Sequence, residues 1–257
     1  MAGEVVVESG DYAGEGIRIW IRDRKAGPQP WNRGWRAEPG ARPGAGPEKP
    51  LRPADPSGGI PVMVPPDVFR DQPVLTGERV RLEPLDAGTG EHFIEPVLRM
   101  DPEVRRLTGT HREFTREELV RWAATRPDHH DRADWVVFER EGGAAVGECA
   151  LIDLDPDNAS AGYRIALNGM SVTGRGYGTE ATDLVLEYAF TVAGLHRVAL
   201  EVFAFNTRAQ RSYARSGFVR EGVWRESLRW DGEWHDAVLM SVLAEEYAEL
   251  RAARKKG

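Results

Sequence analysis

Two apolar periods organise the chain from Thr76 onward. "RVRLEPL" alternates apolar and polar residues and predicts a strand, as do "ADWVVFERE", "AAVGECALIDLD" and "SAGYRIAL". The links between the last three are short and turn-rich, so an antiparallel meander is expected. "TGEHFIEPVLRM" predicts a short helix interrupted at Pro96. In "TREELVRWAATR", Thr115 and Glu118 have the spacing of a capping box, and Leu119, Trp122 and Ala123 share one helical face. A further helix is expected over 179–193, with Leu184, Val185, Tyr188, Ala189 and Val192 on one face and Gly194 as its stop. "HRVALEVFAF" reads as a mostly apolar strand and "TRAQRSYARSG" as a short basic helix ending at Gly217. "ESLRWDGEWHDAVLMSVL" reads as a hairpin turning at Asp231-Gly232, and "EEYAELRAARKK" as a terminal helix. There is no internal repeat. The order β-α-α-β-β-β-α-β-α-β-β, closed by that helix, predicts an α+β (mixed α/β) fold, a mixed sheet with helices on its faces.

Upstream of residue 73 neither period is sustained. Eleven of the 17 prolines fall between Pro28 and Pro66, mixed with glycine and charge. Residues 28–72 are therefore expected to be a largely irregular linker, and residues 73–257 the folded domain. Residues 1–27 hold "EVVVESG" and "GIRIWIRDR" around "DYAGEG", which reads as a short hairpin or as a tail.

Composition narrows the function. Hydrophobic residues make up 41% of the 257, enough for a core. A formal net charge of −7 argues against a non-specific nucleic-acid binder. Cys149 is the single cysteine, which leaves no internal disulfide or cysteine-based metal cluster and suits a reducing, cytoplasmic setting. No apolar run approaches the ~20 residues of a membrane helix. "MAGEVVVESG" lacks the charged and apolar segments of a signal peptide. His129 and His130 are adjacent and have no partner spacing for a metal, so no metal is expected. His196 is expected to be structural, at the start of a strand.

"VTGRGYGTEATDLVLEYA" (172–189) is where the chemistry concentrates. A glycine-rich turn running into a helix offers uncapped N–H groups and the positive end of the helix dipole to an anion. Arg175 can add a charge-assisted bond. Gly174, Gly176 and Thr179 nearly satisfy a dinucleotide fingerprint, but that motif belongs in a parallel βαβ array, which a meander and a closing hairpin do not make.

"GRGYGTEA", "GLHRVALEVFAFN" and "NTRAQRSYARSGF", in that order, resemble the GNAT superfamily of N-acetyltransferases, and within it the RimJ/RimL type that modifies ribosomal-protein N-termini. The likeness runs from about Thr76 to Val242. It implies a GNAT-like, mostly antiparallel mixed sheet with helices on both faces, acetyl-CoA as co-substrate, and a peptide or small-molecule primary amine as acceptor, with a homodimer left open. By this resemblance the turn Thr173, Gly174, Arg175, Gly176, Tyr177, Gly178 and Thr179 holds the pyrophosphate. Thr173 stands where the family pattern has Gln or Arg, and the connection "NGMSVTG" is longer than usual. Ile165, Ala166 and Leu167 are the implied main-chain partners of the pantetheine arm, Asn206 contacts that arm, and Arg211, on a helix face shared with Arg208 and Arg215, reaches the 3′-phosphate.

The resemblance also assigns the proton transfers. Glu201 is the implied general base and Tyr213 the acid for the departing thiolate. The chemistry is sound, since a carboxylate can accept an amine proton and a phenol of pKa ~10 can protonate a thiolate. Glu148, on a neighbouring strand, is a rival base. Ala161 stands where some branches carry a glutamate. Two other classes remain: a non-catalytic acyl-CoA-binding module that docks through its N-terminal arm, and a dinucleotide oxidoreductase.

Overall fold

The computed structural model describes residues 64–254. The hairpin expected within residues 1–27 and most of the linker lie outside the described residues. The elements in chain order are β1 (Leu75–Thr76), β2 (Val80–Pro84), α1 (Ala87–Leu98), α2 (Pro102–Thr108), α3 (Arg116–Thr125), β3 (Ala133–Glu139), β4 (Ala145–Asp155), β5 (Ser160–Leu167), α4 (Tyr177–Thr191), β6 (Arg197–Phe203), α5 (Thr207–Arg215), β7 (Val219–Trp230), β8 (Glu233–Leu243) and α6 (Ala244–Arg254). The strands form one sheet in the order β1-β2-β3-β4-β5-β6-β8-β7. Every neighbouring pair is antiparallel except β5 and β6.

Local chemistry sets the boundaries. Asp86 caps α1, accepting from the N–H groups of Gly88 and Thr89 at 2.8 Å each. Pro96 falls in the last turn of α1 and leaves the helix running to Leu98, so the expected interruption does not occur. The capping box at Thr115 and Glu118 is formed in both directions. Asp231 (φ 49°) and Gly232 (φ 87°) carry the paired positive φ of a tight hairpin turn between β7 and β8.

One face of the sheet packs Trp135, Leu151, Tyr163, Val198 and Val242 against Val185, Leu186 and Ala189 of α4. The C-terminal helix α6 joins this side through Tyr247 on Phe190. The opposite face packs Val136 and Phe138 against Phe93, Ile94 and Val97 of α1 and Leu119 and Ala123 of α3. Phe203 of β6 lies on this second side, against Gly109 at the end of α2.

The folded unit begins earlier than residue 73. Phe69 is fully buried and Val64 is 2% exposed. Tyr188 donates its hydroxyl to the Val68 carbonyl, and the Asp134 N–H donates to the Gln72 side chain. Residues 64–72, assigned to the linker on proline content, pack onto the domain. This strap turns twice, with main-chain bonds from Val68 to the Pro65 carbonyl and from Arg70 to the Asp67 carbonyl, and its prolines do not prevent burial.

Candidate active site

Strands β5 and β6 pair only at Ser160–Arg197, Ala161–Val198 and Gly162–Ala199, and part beyond Gly162. The alternation of the flanking ladders decides what faces the opening. Asn168 donates its N–H to the Val146 carbonyl at 2.9 Å, which sets the even-numbered residues of β5 as those bonded to β4. The main-chain groups of Tyr163, Ile165 and Leu167 therefore turn toward β6. Ala204 donates to the Asp236 carbonyl and Ala244 to the His196 carbonyl, which sets the even residues of β6 on β8. Glu201 and Phe203 thus turn their main-chain groups toward β5. Both walls of the opening are rows of peptide groups without a strand partner. Ala166, expected with Ile165 and Leu167 as a main-chain partner, faces β4 instead. The period of two in a strand permits only alternate residues to face one side.

Helix α4 starts beside this opening. Gly174 (φ 79°) and Gly176 (φ 88°) adopt left-handed backbone, and no side chain caps the first turn. Its N–H groups are left for an external anion. A Cβ at Gly178 would come within 3.7 Å of Leu167 and 4.0 Å of Ile165, so the first turn lies directly against the open edge of β5. A ligand with a diphosphate followed by a narrow diamide arm matches this sequence of donors. Tyr177 is buried, and Arg175 hydrogen-bonds to it, which holds the guanidinium pKa above its usual value. Thr179 joins α4 to α5 through Ser212 at 2.7 Å.

The long connection before the turn forms a 3₁₀ turn at Met170–Val172. Thr173 closes it, donating to the Met170 carbonyl at 2.7 Å and accepting from Arg208 Nη1 at 2.9 Å. Arg211 is exposed on α5. On α5 it is Arg208 whose guanidinium bonds to the glycine loop, through Thr173.

The implied proton-transfer groups lie on opposite faces of the sheet. Tyr213 projects from α5 near Tyr163 (ring centroids 6.5 Å) and Phe218 (5.8 Å). Burial pushes its phenol up to about 12. Asn206 caps α5, its side chain accepting from the Ala209 N–H at 3.1 Å, which leaves the amide NH₂ as the part able to donate elsewhere. Glu201 is exposed and shares the second face with Phe203. Arg197 pairs with Glu221 rather than with Glu201. Glu148 is on the same face as Glu201, since its row passes through the β4, β5 and β6 registers. It is 5% exposed and accepts from Arg164 Nη2 at 3.1 Å. Arg164 also approaches Asp134 at 3.7 Å, and Arg132 binds Asp134 through two bonds of 2.7 Å. This buried network escaped the sequence reading, because Arg164 and Glu148 meet only once the β4–β5 register is known.

Beyond the opening, His111 stacks on Trp230 at 4.9 Å, and Arg106 lies 4.3 Å over the Phe205 ring while binding Glu103. His129 is partly buried, and that burial, with Arg126 and Arg132 nearby, lowers its pKa. Among the described residues no group of His, Cys, Asp and Glu could hold a metal. None of their helices is long and apolar enough to cross a membrane.

An eight-stranded sheet that splays at its parallel pair, with a glycine-turned helix at the mouth, is an acyltransferase architecture. Residues 79–219 match the family described as Acetyltransferase (GNAT) domain. That is more than half of the 257 residues, and the chain belongs to this family. It is 29% identical over 119 residues to spermidine N(1)-acetyltransferase of Vibrio cholerae, a stretch of 46% of this chain and 68% of that protein. The same-named enzyme of Escherichia coli K12 is 25% identical over 118 residues, 46% of this chain and 63% of that one. Among solved structures, a GCN5-related N-acetyltransferase from Brucella melitensis superposes with a TM-score of 0.62 at 28% identity, over 72% of this chain and 85% of that one. Spermidine N-acetyltransferase from Vibrio cholerae, in complex with CoA and spermine, superposes with a TM-score of 0.61 at 22% identity, over 67% of this chain and 99% of that one, and shares the fold.

Proposed function

We propose that this chain moves an acetyl group from acetyl-CoA to a primary amine, by direct attack of the amine on the thioester. The observation that carries the reading is the parting of β5 from β6 beyond Gly162, beside the uncapped start of α4. Such a slot accepts a peptide-like arm as an added strand. Acetyl-CoA supplies the activated acyl group. The first turn of α4 binds the diphosphate, while Ile165 and Leu167 align the arm through their N–H and C=O groups. An N–H on this row polarises the acyl carbonyl. The amide NH₂ of Asn206 donates to the arm.

The two faces of the sheet divide the proton work. On the side of α2, Glu201 takes the proton of the incoming ammonium, directly or through water. Its exposure, where an incoming amine can meet it, favours it over the buried Glu148. On the side of α5, Tyr213 donates its proton toward the departing sulfur. The acceptor is a protein N-terminal α-amine, as the RimJ/RimL resemblance suggests, or a small amine, as the spermidine-acetylating relatives suggest.

Free-thiol release from acetyl-CoA with a panel of peptides, polyamines, aminoglycosides and amino acids tests this. Turnover on one class, lost in Glu201→Gln but not in Glu148→Gln, supports the reading and its base. CoA binding without turnover on any amine supports a binding module. Stabilisation by NAD(P) and not by acetyl-CoA would overturn the family-based cofactor assignment.

A further inference from the structure

The β1–β2 turn, Gly77–Arg79, is clamped onto the first turn of α4. Glu180 accepts the Arg79 N–H through both carboxylate oxygens, at 2.9 and 3.2 Å. The approach is so close that a Cβ on Gly77 would lie 2.1 Å from Glu180 Oε1. Arg140 secures the turn from the other side, donating to the Gly77 carbonyl at 2.9 Å. The clamp places the Arg79 side chain over the N-cap of α4. Its Cδ and Nη1 lie 3.8 Å, and its Nε 3.9 Å, from where a Cβ of Gly176 would stand. A Cβ there would make only ordinary contact with the side chain, and glycine suits position 176 through its left-handed backbone, φ 88°.

The other arginines near the turn have engagements of their own. Arg175 is bonded to Tyr177, and Arg208 to Thr173 and Met170. Arg79 is different. Its side chain is 58% exposed, and its one contact with a carboxylate among the described residues is a loose 3.7 Å approach to Glu180, whose oxygens already hold its own N–H. Among the described residues its guanidinium makes no hydrogen bond. Glu180 also puts a negative charge in the first turn, where an anion would otherwise meet only N–H groups and the helix dipole. A guanidinium above Gly176 offsets that charge and presents a fork of donors suited to phosphate oxygens.

We infer that Arg79 is a pyrophosphate ligand for the co-substrate, reaching the helix start from the β1–β2 turn far upstream in sequence. This supplies the side-chain cation that Thr173, locked into its own loop, does not. The inference rests on the acetyl-CoA reading above. Arg79→Gln keeps the main-chain bond to Glu180 and removes the fork, and Arg79→Lys keeps the charge.

Titration calorimetry of the full chain with CoA, dephospho-CoA and pantetheine tests it. Arg79→Gln should bind CoA and dephospho-CoA each roughly tenfold more weakly, with pantetheine unchanged, and Arg79→Lys should recover part of the loss. A loss confined to CoA would assign Arg79 to the 3′-phosphate and overturn the inference. An equal loss for pantetheine would make Arg79 a structural strut, and unchanged affinities would give it no role, and either overturns it. Wild-type protein that binds none of the three would overturn the acetyl-CoA reading as well, so the two failures are distinct.

Discussion

Replacing Phe69 by alanine tests whether the strap ahead of β1 belongs to the fold. Phe69 is fully buried, with its ring 6.4 Å from that of Tyr188 on α4. Emptying a buried phenylalanine site costs about 3–5 kcal/mol. For a domain of this size each kcal/mol shifts Tm by about 2–4 °C, so Phe69→Ala should lower Tm by roughly 6–20 °C. The loss should not stay local. The strap also supplies the Pro73 carbonyl that accepts from Trp135 Nε1 at 3.0 Å and the Gln72 oxygen that accepts from the Asp134 N–H at 3.0 Å. If the strap lifts, each buried donor left alone adds about 1–3 kcal/mol. Phe69→Leu preserves most of the apolar volume and should lose less than Phe69→Ala. Thermal unfolding followed by circular dichroism in the far and near ultraviolet measures both. A shift below about 2 °C for Phe69→Ala would refute the packing argument and return these residues to the linker.

Arg164→Met removes the Arg164 bond to Glu148 and its approach to Asp134, whose side chains are 7% and 1% exposed. It should cost about 3–5 kcal/mol in denaturant unfolding, and Glu148→Gln on top should restore part; a neutral Arg164→Met would sink the account. Tyr213→Phe should lower turnover about 10²-fold or more while leaving CoA affinity nearly unchanged in calorimetry. Because burial raises the Tyr213 phenol to about 12, its contribution to stability is full below ~10 and fades as pH rises from there toward about 12. An alkaline limb below pH ~9 that vanishes in Tyr213→Phe would contradict this. The His129 pKa is lowered in the fold, so the unfolded chain binds its proton first. Its stabilising share is present above ~6.5 and is lost as pH falls through that value toward the lower folded one. His129→Gln should therefore flatten the acid side of a Tm-against-pH curve, and an unchanged curve would dismiss the assignment.

Elements with a strong period or an explicit cap could be read directly from sequence. The capping box at Thr115 and the turn at Asp231-Gly232 rest on local stereochemistry, and each stands where the residues placed it, whereas α4 ends at Thr191, short of the expected stop at Gly194. Helix α2 was missed, because seven residues with one buried position, Val104, show no period. The burial of Val64 and Phe69 was hidden by the surrounding prolines. The glycine turn was legible because its function is local. Arg79 and Arg164 were not, since their partners Glu180 and Glu148 are brought near by clamping and by strand register, neither of which leaves a mark in sequence spacing. The same limit led Ala166 to be grouped with Ile165 and Leu167 before the ladder parity was known.

The opening between β5 and β6 presents peptide bonds rather than side chains. Under the proposed reading, its affinity for the arm is insensitive to most substitutions along both strands. Ile165→Val or Leu167→Met changes the lining and leaves every donor and acceptor in place. Proline is the exception, since at either position it deletes the N–H itself. Mutational drift can thus reshape the acceptor side around Glu201 and Phe203 while the acyl-donor side stays readable. An inhibitor that mimics the arm would meet few routes to resistance there.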